Sequence, residues 1–229
     1  MAKRLSRAEQ GERNRALVLA AARRVFLERG YAGATLEAIA EEAGFSKGVV
    51  YSQFAGKPDL FLALIEGRIS ERAERNVLVS SGLAGLDGVR ALLDANARLS
   101  EEGGDWSRLL IEFRVIAARD PVLNARYAAL HARTIDHFTE TIAGILARAG
   151  LRSAYPPRAF AELILAIDAG RVLERAASTS ELELEHLVDL LGRALVPAGF
   201  DDDTSMSTPP PGGHDAHHDR TEALVPRTS

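Results

Sequence analysis

The residues best suited to chemistry in this chain lie close together: Ser46, Lys47, Gly48, Tyr51 and Ser52, preceded by Thr35 and followed by Lys57. At a helical period Lys47 and Tyr51 share one strip and Gly48 and Ser52 another, so a cation, a phenol, a hydroxyl and bare backbone can turn to one side. Such a set builds no nucleophile with its base. It suits a nucleic acid, where cations and hydroxyls hold phosphates and a lysine or hydroxyl in the major groove reads base edges. Catalytic candidates elsewhere are thin. The chain has no cysteine, which removes thiolate zinc sites and cysteine nucleophiles. Glu112 or His131 as a lone acid or base on a helical scaffold is the enzymatic alternative, with no metal motif or phosphate loop beside it. His214, His217 and His218 sit in a tail rich in Pro, Gly and Asp, without the spacing a metal needs, and no cofactor is expected.

Two short helices must hold the recognition residues. The first runs from about Leu36 to Ala43, with Leu36, Ile39, Ala40 and Ala43 on one face, Thr35 as its cap and Gly44 as its stop. The second starts after Ser46, another capping residue, and ends near Phe54; Val50 and Phe54, four apart, form its buried row. Before them a helix from about Asn14 to Arg29 carries Leu17, Val18, Ala21, Ala22, Val25 and Phe26 in apolar rows and ends at Gly30. Two helices joined by a tight glycine turn can be a helix-turn-helix that lays its second helix in the major groove. Geometry alone equally allows an αα-hairpin in a bundle, with Lys47 and Tyr51 on a solvated face.

The rest of the chain also reads at the helical period, and the fold class expected is all-α. Further helices are expected at about 57–79, 87–101, 106–119, 121–149, 157–178 and 181–195, separated by Gly and Pro signals. Residues 1–13 read as a flexible basic arm, 14–60 as the helix-turn-helix domain, 61–196 as a larger helical domain reached through the helix at 57–79, and 197–229 as a disordered tail. Charge follows this division: residues 1–60 hold ten Lys/Arg against seven Asp/Glu, the remainder 18 against 25, in a chain of net charge −4. No apolar run reaches the roughly 18 residues of a membrane span, and the start has no secretory apolar region, so a cytoplasmic protein without a membrane partner is expected.

In the larger domain, polar residues intrude on apolar stripes. Trp106, Glu112, Phe113, Tyr127, His131, Asp168 and Arg171 are the candidates for a pocket with apolar walls and a few converging polar groups, suited to a small hydrophobic or amphipathic molecule. The last two helices are apolar on more than one side, as Leu187, Leu190, Leu191 and Leu195 illustrate. A helix that packs on its own domain and on a second copy has that pattern.

Phe26, Gly30-Tyr31, Thr35, Ile39-Ala40, Ala43-Gly44, Ser46-Lys47-Gly48, Tyr51, Phe54, Lys57 and Leu60 stand at spacings by which residues 15–64 resemble the tetracycline-repressor (TetR) family. Gln53 and Pro58 depart mildly from that pattern. The resemblance implies a dimer, paired through about 157–195, that binds a pseudo-palindromic double-stranded operator and is released by a small effector. It implies phosphate contacts for Thr35, Tyr51 and Lys57, and places Lys47, Gly48 and Ser52, led by the Ser46 cap, near base edges. Gln53 could read adenine, or equally face solvent or a phosphate. The alternative is a helical ligand-binding or scaffold protein that does not touch DNA.

Overall fold

The computed structural model describes residues 6–102, 106–176 and 181–199. The described residues are all-α apart from one small ribbon. Its helices are α1 (Arg7–Gly33), α2 (Leu36–Ala43), α3 (Lys47–Tyr51), α4 (Lys57–Ser80), α5 (Gly85–Glu102), α6 (Trp106–Ala117), α7 (Pro121–Ala147), α8 (Pro157–Ala176) and α9 (Leu184–Gly192). The ribbon pairs β1 (Leu151–Ser153) antiparallel with β2 (Leu195–Pro197), Arg152 opposite Val196.

Local chemistry sets the boundaries. Thr35 caps α2 by accepting the Ala38 N–H at 3.2 Å, and Gly44 ends it in the left-handed region at φ 72°, where a side chain would be strained. Proline falls in the first turns of α4 and α7, where its missing N–H has no helical partner to lose. Asp120 caps α7 by accepting from the backbone of Val122 and Leu123.

The N-terminal arm is shorter than expected. Ser6 accepts the Glu9 N–H at 3.2 Å while its own N–H donates to the Glu9 carboxylate at 2.7 Å. This reciprocal cap starts α1 at Arg7, so Arg7 and Arg13 are helical. At the other end Leu195 leaves the expected last helix for β2, which also takes Pro197 out of the expected tail. The tail from residue 200, with its three histidines, lies outside the described residues.

Two apolar clusters fill the fold. One joins α1, α2 and α3 to the first half of α4, to α6 and to the start of α7; its centre is an aromatic knot of Phe26, Tyr31, Phe61, Trp106, Phe113 and Tyr127. Phe61 is fully buried and meets Phe113 at 4.5 Å between ring centroids. Packing therefore runs unbroken past residue 60, where the sequence suggested a domain edge. The other cluster joins α5, the second half of α7, α8 and α9 around Leu92, Ile145 and Ile164.

Candidate nucleic-acid interface and effector cavity

Helix α3 is short and anchored from below. Val50 and Phe54 are buried against α1 and α2, and the turn before α3 is closed by the Phe45 N–H donating to the Ala40 carbonyl at 2.9 Å. The opposite side is open: Lys47, Gly48, Tyr51 and Ser52 are all exposed, Tyr51 by 52%. A side chain at Gly48 would meet nothing closer than the Ser46 Oγ at 3.8 Å, so another molecule can approach the backbone there. The Lys47 ammonium lies 3.1 Å from the Glu37 carboxylate of α2. That bond and the Lys47 charge help hold the Glu37 carboxyl below the usual carboxylate range, after the larger effect of its own backbone N–H. The Ser52 hydroxyl donates to the Val49 carbonyl at 2.8 Å and keeps its lone pairs. Ser46 heads α3 without a side-chain capping bond, and Thr35 accepts the Ala38 N–H while its hydroxyl hydrogen-bonds the Glu37 carboxylate. One glutamine oxygen, Oε1 of Gln53, is buried without a partner among the described residues.

Lys57 does something else than the phosphate contact implied for it. Its ammonium donates to the carbonyls of Tyr31, Ala32 and Ala34 at 2.8, 3.1 and 3.0 Å and lies 4.8 Å from the Tyr31 ring centre. All three donors are engaged within the molecule. From the other side, Glu112 of α6 accepts the N–H groups of Tyr31 and Ala32 at 3.0 and 2.8 Å. The turn at Gly30, with φ 70°, is thus gripped by a cation on its carbonyls and a carboxylate on its amides. A Cβ on Gly30 would stand 2.9 Å from the Glu112 Oε2, so the grip needs glycine for closeness as well as for φ. Desolvation lowers the Lys57 pKa, and the Glu112 charge opposes it.

A cavity of about 170 Å³ lies between α4, α6, α7 and α8. Trp106, Tyr127, His131 and Asp168 line it, as the sequence suggested. The other three candidates do not. Glu112 grips the Gly30 turn, Phe113 is fully buried in the aromatic knot, and Arg171 is buried with its Nε donating to the Leu182 carbonyl and a guanidinium nitrogen 3.7 Å from Asp168. The unforeseen lining is cationic, Arg68, Arg72 and Arg75 of α4, and it faces Arg114 of α6, one of the polar residues that interrupt the apolar stripes in the sequence. Their signal was legible, since 68, 72 and 75 repeat at the period that places side chains on one helix face beside Ile65 and Ile69.

His131 stacks on Tyr127 at 5.7 Å and 13°. Burial, and then the Arg114 charge, push its pKa below the ordinary histidine value of 6.5. The folded chain therefore refuses a proton that the unfolded chain accepts. The stability this withholding supports is complete above pH 6.5 and declines as pH falls through that value toward the lowered folded one. Between pH 7.5 and 5 the wild type is expected to lose more thermal midpoint than His131→Gln; equal losses in a paired melting series would contradict this account of the site.

No helix among the described residues is long and apolar enough to cross a membrane. The pattern of bacterial regulatory proteins of the tetR family matches residues 18–64, and that of the C-terminal part of BetI-type transcriptional repressors matches residues 86–197. The HTH-type transcriptional repressor AcnR of Corynebacterium glutamicum is 34% identical over 110 residues, 48% of this chain and 54% of the relative. The chain thus spans about half the length of that relative. Among solved structures, a transcriptional regulator from Rhodococcus sp. Rha1 is similar with a TM-score of 0.64 at 24% identity, over 79% of this chain and 95% of that one. The transcriptional regulator FadR of Bacillus subtilis, solved in complex with stearoyl-CoA, is similar with a TM-score of 0.61 at 17% identity, over 78% of this chain and 95% of that one. At these identities the likeness to both is one of fold. An N-terminal helix-turn-helix and a helical C-terminal part, each matched by its own family pattern, make this chain a member of the TetR family of bacterial regulatory proteins.

Proposed function

We propose that the chain is a ligand-responsive transcriptional repressor of the cytoplasm that binds a pseudo-palindromic operator as a homodimer and is released when a small molecule fills the cavity. The observation that carries this reading is the outward face of α3: Lys47, Gly48, Tyr51 and Ser52 are exposed on a helix held from beneath by buried Val50 and Phe54. A helix so mounted can enter a major groove while Thr35 and Tyr51 bind the flanking phosphates. Lys57, with its ammonium inside, acts by bracing the turn that positions α2. Pairing of two copies is supported by Leu163 and Leu173 on α8, Leu182 just before α9 and Leu190 on it, each about half exposed. Apolar side chains left open on a terminal helix pair fit burial against a symmetry mate. The division of labour follows, with residues 14–60 meeting DNA and 61–196 binding effector and partner.

Mobility shifts of DNA from upstream of the protein's own gene, run over a series of salt concentrations, test the reading. Affinity is expected to fall steeply with salt as phosphate-bound cations are released. Lys47→Ala is expected to weaken operator binding by about tenfold, and to lower the salt slope by about one if the ammonium sits on a phosphate rather than a base edge. A chain that ignores this DNA, or a Lys47→Ala variant as tight as wild type, would favour the scaffold alternative instead.

A further inference from the structure

The charge around the cavity is unbalanced. Arg68, Arg72 and Arg75 stand in a row on α4 and Arg114 faces them from α6, and among the described residues none of the four makes an ion pair. Two of them rest on aromatic faces instead: the Arg68 guanidinium lies 4.7 Å from the Trp106 ring centre and that of Arg114 lies 5.8 Å from Tyr127. Asp168, which faces them from α8, is already 3.7 Å from Arg171, and the other carboxylate of the lining, Glu71, is exposed. Arg68 and Arg72 are half-buried, and loss of water lowers the basicity of both guanidiniums; the Arg23 charge adds to this at Arg68, while Asp168 opposes it at Arg72. Four clustered cations, two half-buried and two exposed, outnumber the two carboxylates beside them, Glu71 and Asp168, and such a cluster gains from an anion placed among them. A further group waits in the same cavity: Nδ1 of His137 is buried and has no partner among the described residues. Trp106, Leu110, Phe138 and Leu165 supply an apolar wall, and Asn76, Asn96, Ser107 and Thr134 add neutral polar groups.

Resting on the reading of this cavity as the effector site, we propose that it takes a compact amphipathic anion, a carboxylate or phosphate monoester whose charge lies among Arg68, Arg72, Arg75 and Arg114 and whose apolar body lies against Trp106, Leu110 and Phe138. The volume of about 170 Å³ corresponds to roughly a dozen water positions, which suits a ligand of similar heavy-atom count. The planar guanidiniums fit either headgroup, since both present oxygens that a forked donor can bridge.

Trp106 is the sole tryptophan of the chain and lines the cavity, so its fluorescence reports occupancy directly. The full-length protein is titrated with octanoate, octyl phosphate, 1-octanol and octylammonium, four probes with one tail and different heads. At least one anion is expected to bind about tenfold or more tighter than the neutral and cationic probes. Comparison of octanoate with octyl phosphate tells which headgroup is preferred. The substitutions Arg72→Gln and Arg75→Gln, made singly and together, are expected to weaken the anion by about tenfold or more and to leave octanol unchanged. Arg114→Gln repeats the test on a more exposed side chain should Arg72→Gln fail to fold. Octanol or octylammonium binding as tightly as both anions, or folded variants that keep the anion preference, overturns the anion while leaving the cavity as an effector site. Failure of all four probes to perturb Trp106 overturns both.

Discussion

Glu112→Ala is expected to lower the unfolding free energy by about 2–3 kcal/mol, most of it from a single carboxylate that serves two backbone amides. The N–H groups of Tyr31 and Ala32 both donate to it. Neither has a helical acceptor, because Gly30 breaks α1 with its φ of 70° and the chain restarts there as if at a new N-terminus. Water can replace the bond at exposed Ala32 more readily than at buried Tyr31, which is why the expected loss is below twice that of one charged hydrogen bond. Lys57 would lose the charge that opposes its desolvation, so the carbonyl side of the turn weakens as well. Urea unfolding measures the loss, and hydrogen exchange at residues 31 and 32 locates it. Glu112→Gln, which keeps one acceptor but brings a donor against the second amide, is expected to fall between alanine and wild type. An alanine variant with unchanged midpoint and unchanged exchange would show that the carboxylate bears nothing.

The same carboxylate has a bearing on regulation. Two residues along α6 from Glu112, Arg114 lines the cavity, so one helix touches both the proposed effector site and the turn that leads into α2. On the proposed reading, a ligand that drew Arg114 inward would move Glu112 with it, and with Glu112 the amides of Tyr31 and Ala32. Coupling needs such an element with two positions, each favoured by a different ligand. In Glu112→Ala the effector would still enter the cavity, and its influence on operator affinity would shrink.

Much of this was legible before any coordinates. The helices and the helix-turn-helix were readable because their signals are local: Thr35, Gly44, Pro58 and Asp120 mark ends within a turn of where they act, and Val50 with Phe54 marks a buried row at one period. Trp106, Tyr127, His131 and Asp168 were found as polar or aromatic interruptions of apolar stripes. Glu112 and Lys57 were given the wrong partners because what they bind is backbone, 80 and 25 residues away in sequence for Ala32, and a carbonyl or amide left open by a kinked helix leaves no mark in residue types. The Ser6 cap is hard to read because the apolar period begins later, so the polar first turns of α1 resemble an arm in residue types. The three-residue ribbon is too short for alternation to register.

The largest functional effect is expected at a position with no side chain. Gly48→Glu should abolish specific operator binding, lowering affinity by about a hundredfold or more, while the protein stays folded. The fold has every reason to tolerate the change: nothing but the Ser46 Oγ, at 3.8 Å, lies near a Cβ there, and the residue is exposed with negative φ. Glycine is a poor helix former, and a carboxylate in the first turn of α3 meets the positive end of the helix dipole, so the melting midpoint should hold or rise slightly. Against DNA the same atoms are unfavourable twice over. They fill the space by which the α3 backbone would approach base edges, and they set a negative charge between Lys47 and Tyr51 where phosphates must come near. Gly48→Ala separates the two effects, since it fills part of the space without the charge and is expected to cost about tenfold or less. A Gly48→Glu protein that melts like wild type and still shifts the operator would mean that α3 does not enter the groove, and the outward face that carries the repressor reading would be solvated surface.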